Sequence, residues 1–211
     1  MVRSSPGGVM ELHEALTQIA EIRAQVARTE VFRGYRAVPV AFSGLLAFAA
    51  AGVQAAWVPD PAGQAPAYLT LWLGAAVLSA ILSGMGMAMR RRHPAPEWER
   101  RKTWLALEQF MPCLAAGGLL TFTVARSVPE ATPLLPGLWQ ILFSLGLFAS
   151  CRLLPRATFA VAAFYLTTGL LCLALARGES ALAPWAMGLP FGFGQLLAAA
   201  VLYWNLERGD A

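Results

Sequence analysis

Six long apolar segments divide this chain, and its sixteen Lys and Arg residues are shared among the gaps between them very unevenly. Arg3, Arg23, Arg28, Arg33 and Arg36 precede the first segment; Arg90, Arg91, Arg92, Arg100, Arg101 and Lys102 follow the second; Arg152 and Arg156 follow the fourth; Arg208 follows the sixth. Only Arg126 and Arg177 occupy the alternate gaps. Short loops on the cytoplasmic side of a membrane retain Lys and Arg. The alternation therefore predicts six membrane spans with the N-terminus and the C-terminus both cytoplasmic.

Composition agrees. The mean hydropathy is +0.55, and charged residues make up 13% where a soluble domain carries about 25%. The polar stretches are residues 1–36 and 90–102. No secretory signal peptide is expected, since residues 1–36 hold no apolar core followed by a small-residue cleavage pattern. A net charge of +4 marks the cytoplasmic face and favours anionic headgroups; no nucleic-acid partner is expected. Cys113, Cys151 and Cys172 lack CxxC spacing and read as reduced packing residues. The abundance of Ala, Leu and Arg suggests a bacterial inner (plasma) membrane.

The segments predict spans at 38–58, 67–89, 103–125, 134–151, 157–176 and 185–203, all helical because backbone amides in hydrocarbon must be satisfied within the segment. The expected fold is an all-α polytopic membrane protein: a transmembrane domain at 37–204 with six helices in three hairpins, after a cytoplasmic leader at 1–36 and before a tail at 205–211. Trp57, Trp72, Trp139 and Trp185 fall at one set of span ends and Trp98, Trp104 and Trp204 at the other, as interfacial belts would place them. A weak parallel repeat runs through the hairpins: Gly-Leu-Leu at 44, 118 and 169, Trp at 72, 139 and 185, and a Gln near each, at 54, 140 and 195. Small residues recur at Ala76, Ala80, Gly84 and Ala88, and at Gly188 and Gly192, spacings that suit close helix packing within one chain or in a homo-oligomer. Pro112 and Pro190 lie inside spans and should bend them, freeing carbonyls that need other donors.

Ahead of the first span, Leu12, Leu16, Ile19, Ile22 and Val26 recur at helical spacing. Residues 10–33 read as an amphipathic cytoplasmic helix whose apolar stripe suits a groove on a cytoplasmic or membrane protein partner; the bland alternative is a helix lying on the bilayer surface.

Few residues inside the spans carry chemistry. Glu108 is an acid in an apolar segment, a functional-site candidate by default, and with Gln109 it precedes the Pro112 bend by one turn. It lies only about 7.5 Å from the start of its segment, which favours a carboxylate paired with Arg101 or Lys102 at the interface over a proton or cation site. Tyr165 and Gln195, at similar depth on successive spans, are placed to hydrogen-bond each other; Thr167 and Thr168 lie nearby. Arg90, Arg91, Arg92, Arg100, Arg101 and Lys102 form a topology determinant suited to anionic lipid. His13 and His93 are the only histidines, so no metal site, haem or other cofactor is expected. No Gly-rich phosphate loop, GxSxG or HExxH occurs. The leading expectation is a non-enzymatic membrane adaptor or regulator working through residues 10–33. The alternative is a small transporter or channel for a neutral or weakly polar compound, lined by Tyr165, Gln195 and the Pro190 bend. An intramembrane enzyme using Glu108 ranks last.

Overall fold

Hydrocarbon offers no water to backbone N–H and C=O groups, so each apolar segment must close its hydrogen bonds internally. Each does so as a helix. The computed structural model describes residues 37–90, 97–151, 153–176 and 178–207. Its six long helices are α1 (Ala37–Trp57), α2 (Ala65–Arg90), α3 (Glu97–Ser127), α4 (Leu135–Ser150), α5 (Thr158–Leu175) and α6 (Pro184–Leu202), and no strand occurs among the described residues. All six are long and apolar enough to cross a membrane, counting the 3-10 turn Pro129–Leu134 that leads into α4. The chain has the architecture of a multi-pass membrane protein. The predicted leader helix, with Leu12, Leu16, Ile19, Ile22 and Val26, lies outside the described residues, as do Arg91 and Arg92.

Proline punctuates one end of the bundle. Pro59 and Pro61 follow α1, and the chain turns there as Gly63 N–H donates to the Asp60 carboxylate at 3.0 Å and Gln64 N–H to the Asp60 carbonyl at 2.9 Å. Pro129 and Pro133 shape the turn before α4, and Pro184 opens α6, the position where a missing N–H costs nothing.

The largest helix interfaces pair α1 with α6 and α4 with α5; smaller ones join the two helices of each hairpin, α1 to α2, α3 to α4 and α5 to α6. Three sequential hairpins are present, and contacts between hairpins bind them more extensively than some hairpins bind themselves. Across the bundle the order runs α2, α1, α6, α5, α4, α3. The flanking helices show it in their burial: 11% of the apolar window is buried in α2 and in α3, against 33–39% in the other four.

Glycines explain the two main interfaces. A Cβ at Gly44 would stand 2.9 Å from the Gly192 carbonyl oxygen, Gly192 faces the Phe48 ring, and Gly188 faces Ala51. The Gly188/Gly192 pair thus packs within the chain, on α1. Between α4 and α5, Gly137 and Gly169 face each other, and a Cβ on either would lie 2.9 Å from the other's carbonyl oxygen. In lipid, where burial of apolar surface gives no drive between helices, such close approach supplies the van der Waals contact that holds them. The small residues of α2 behave differently: Ala76 and Ala80 are exposed, and a Cβ at Gly84 would meet nothing within 4 Å.

Each of the first two hairpins carries the same latch. Trp72 Nε1–H donates to Gln54 Oε1 at 2.8 Å, and Trp139 Nε1–H donates to Thr121 Oγ1 at 2.8 Å, each across 18 residues. Trp72 is therefore buried in the bundle and is no member of a lipid-facing belt, whereas Trp57, Trp185 and Trp204 are exposed. Thr167 stands at the corresponding spacing before Trp185, but its hydroxyl donates to the Ala163 carbonyl of its own helix. Two hairpins thus share a Trp-to-preceding-helix bond, to a Gln in the first and to a Thr in the second, and the third lacks it.

Gly192→Ala should cost about 1–3 kcal/mol through overpacking against Phe48, measured as a lower Tm of the protein in mild detergent. Gly84→Ala, in open space within a helix, should leave Tm unchanged or slightly raised.

Candidate functional site

Pro190 sits inside α6 and has no N–H, so the carbonyl four residues earlier, Ala186, loses its helical donor. A second acceptor arises just before the helix. Leu182 ends the 3-10 turn Gly178–Leu182, Ala183 is extended, and Ala186 N–H bonds the Ala183 carbonyl, leaving Leu182 O outside the helical ladder. Both acceptors are met by glutamines from other helices. Gln140 on α4 donates from Nε2 to the Ala186 carbonyl at 3.0 Å and to the Pro136 carbonyl at 3.1 Å. Gln54 on α1 donates from Nε2 to the Leu182 carbonyl at 2.6 Å while its Oε1 accepts from Trp72. Gln54 and Gln140 are fully buried. Together they clamp the start of α6 to α1 and α4, and through Trp72 to α2.

Around the clamp lies an apolar core of Ala50, Val58, Tyr68, Trp72, Leu182 and Met187. Further along the bundle the interior is aromatic. Phe143 meets Phe110, Tyr165 and Phe191 at ring-centroid distances of 5.2, 4.8 and 5.7 Å, drawn from α3, α4, α5 and α6. Such edge-on contacts fill the centre and favour each other beyond simple burial. Ser144 adds a bond across the α4–α5 interface, donating to the Ala162 carbonyl at 2.8 Å.

The polar residues singled out in the sequence do not form one site. Glu108 and Gln109 lie on the exposed side of α3, and Glu108 is the second residue of the apolar stretch Leu107–Ser127, at its very end. Tyr165 is fully buried among the aromatics, pressed against Gly194, where a Cβ would overlap its ring. Gln195 instead lies against α1, its Cβ 3.2 Å from where a Gly44 Cβ would be. The expected Tyr165–Gln195 hydrogen bond is not made: the Tyr165 hydroxyl has no partner among the described residues. Thr167 and Thr168 donate to carbonyls of their own helix. Arg90 closes α2, and Arg100, Arg101 and Lys102 fall in the first turns of α3.

Comparison of the chain with protein-family models, with curated proteins and with solved structures finds no match. The reading therefore rests on the geometry. Among the described residues no group of three or more His, Cys, Asp or Glu could hold a metal ion. Of the residues that matter most, Gln54, Gln140 and Trp72 stood out in the sequence only as repeat or interface markers and Tyr68 not at all; the signal for their bonding was Pro190, which frees a carbonyl at Ala186 that in hydrocarbon requires a donor.

Gln140→Met should destabilise the protein by about 1–3 kcal/mol, the cost of a buried acceptor left unpaired. Pro190→Ala restores an N–H for Ala186, so in that background Gln140→Met should cost much less. A double-mutant cycle of thermal unfolding in detergent measures this coupling.

Proposed function

We propose that this protein is a non-enzymatic membrane adaptor or regulator of the bacterial inner membrane, with both termini cytoplasmic and a partner engaged through residues 10–33. The observation that carries the reading is the use made of the interior. Its buried glutamines spend their N–H groups on holding α6, and its centre is packed with Phe110, Phe143, Tyr165 and Phe191. What the bundle leaves available is peripheral: the apolar faces of α2 and α3, with Val77, Ile81 and Met85 on one and Leu119 and Phe122 on the other exposed. The basic residues of the α2–α3 connection favour anionic lipid.

One observation favours a second reading, a small transporter for a neutral or weakly polar compound: the buried Tyr165 hydroxyl is unpartnered. A transport path through that point has to open the aromatic centre.

Deleting residues 10–33 should abolish recovery of a stoichiometric protein partner from the native membrane while six-span insertion persists, read by affinity purification in mild detergent with mass spectrometry. Undiminished recovery would sink the adaptor reading. Solute flux into proteoliposomes that is lost on Tyr165→Phe, Gln195→Leu or Pro190→Ala would establish the transporter in its place.

A further inference from the structure

Tyr68 on α2 and Gln140 on α4 are both fully buried, yet the Tyr68 hydroxyl and Gln140 Oε1 have no hydrogen-bond partner among the described residues. Both belong to the proline-rich end of the bundle and both abut one short stretch of α6 and the turn before it. Tyr68 packs in one core with Leu182 and Met187, and Gln140 donates to the carbonyl of Ala186. Cys172 on α5 packs in a core with Ala186 of the same stretch. Gln140 is held against the same helix, its Cβ 3.1 Å from where a Gly169 Cβ would stand.

The two groups are complementary. A phenol O–H needs an acceptor and an amide oxygen needs a donor; a single hydroxyl group accepts from the first and donates to the second. We propose that Tyr68 and Gln140 together bind one small neutral hydroxyl compound, water or a short alcohol, between α2, α4, α5 and α6. A charged ligand is disfavoured because, among the described residues, the side chains packed on this stretch, Trp72, Leu182, Met187, Ala186 and Cys172, provide no countercharge, and an unpaired charge away from water is far costlier than an unpaired dipole. Small size follows from the surroundings, since Trp72, Leu182 and Met187 already fill the adjoining core. The amide that holds α6 through its nitrogen thus holds the ligand through its oxygen, so that occupancy and the seating of α6 are linked. This inference is independent of the adaptor reading.

The test is the sign of a conservative substitution in the intact protein in mild detergent. A buried hydroxyl with no partner is relieved by Tyr68→Phe, and Tm stays or rises; a hydroxyl bonded to a bound molecule is missed, and Tm falls by roughly 2–4 °C, the shift that loss of a typical single hydrogen bond gives at this chain length. We expect the fall, and a much smaller fall in a Gln140→Met background. An unchanged or raised Tm overturns the proposal, and so does an equal fall in both backgrounds, which would mean that the two groups do not share a ligand. Should Gln140→Met fail to fold, the sign of Tyr68→Phe alone still decides. Added 1,2-propanediol separates the two occupants: extra protection of the wild type over Tyr68→Phe identifies an organic hydroxyl, and equal protection identifies water.

Discussion

Everything in this bundle depends on how two carbonyls on and beside α6 find donors where there is no water. Pro190 strips Ala186 O of its helical N–H, and the turn before Pro184 leaves Leu182 O outside the helix. In hydrocarbon a lone carbonyl costs several kcal/mol, so the donors must come from protein. Gln140 and Gln54 supply them, and the result is that α6 is bonded to α4 and α1 at adjacent points on its length. The close glycine contacts are a condition of this arrangement. A glutamine side chain is short, and it reaches a neighbouring backbone only because Gly44 and Gly192 let α1 approach α6 and because Gly137 and Gly169 settle α4 against α5.

The six spans and their all-helical character were legible in the sequence because they follow from one-dimensional quantities: runs of apolar residues and the partition of Lys and Arg. The importance of Pro190 and the close packing of Gly188 and Gly192 were legible for the same reason, since both are local properties of one helix. Rotation about the helix axis was not. Each span here is apolar all round, so no amphipathic stripe says which face looks inward, and a polar residue on it reads the same whether it faces the core or the lipid. Tyr165 and Gln195 stand at similar depth yet look toward different neighbours, α6 and α1 respectively. Glu108 and Gln109, the most conspicuous polar pair by position, lie on an outward face of a flanking helix. Gln54, Gln140 and Trp72 looked like markers of a repeat or of an interface, and their bonds became visible only once the helices were assembled, because each bond joins residues from different spans.

The interior and the periphery divide the labour. Inside, Thr121 and Thr168 bond carbonyls of their own helices, the amide nitrogens of Gln54 and Gln140 reach carbonyls of another, and the middle is a cluster of aromatic rings. Outside, α2 and α3 present long apolar surfaces to whatever surrounds them, and the basic connection between them gathers charge at one face of the membrane.

The adjacency of α1 and α6 also governs biogenesis. Gln54 bonds a carbonyl 128 residues further along the chain, and Gln140 one 46 residues further along. During synthesis α1 through α5 therefore enter the bilayer with these amides lacking their final acceptors, and α6 must slot between α1 and α5 after both are already in place. The early helices are a partly open receptacle for as long as translation of the remainder takes. In that interval they are exposed to lipid, to the insertion machinery and to quality control, and the arrival of the sixth helix is the event that closes the fold.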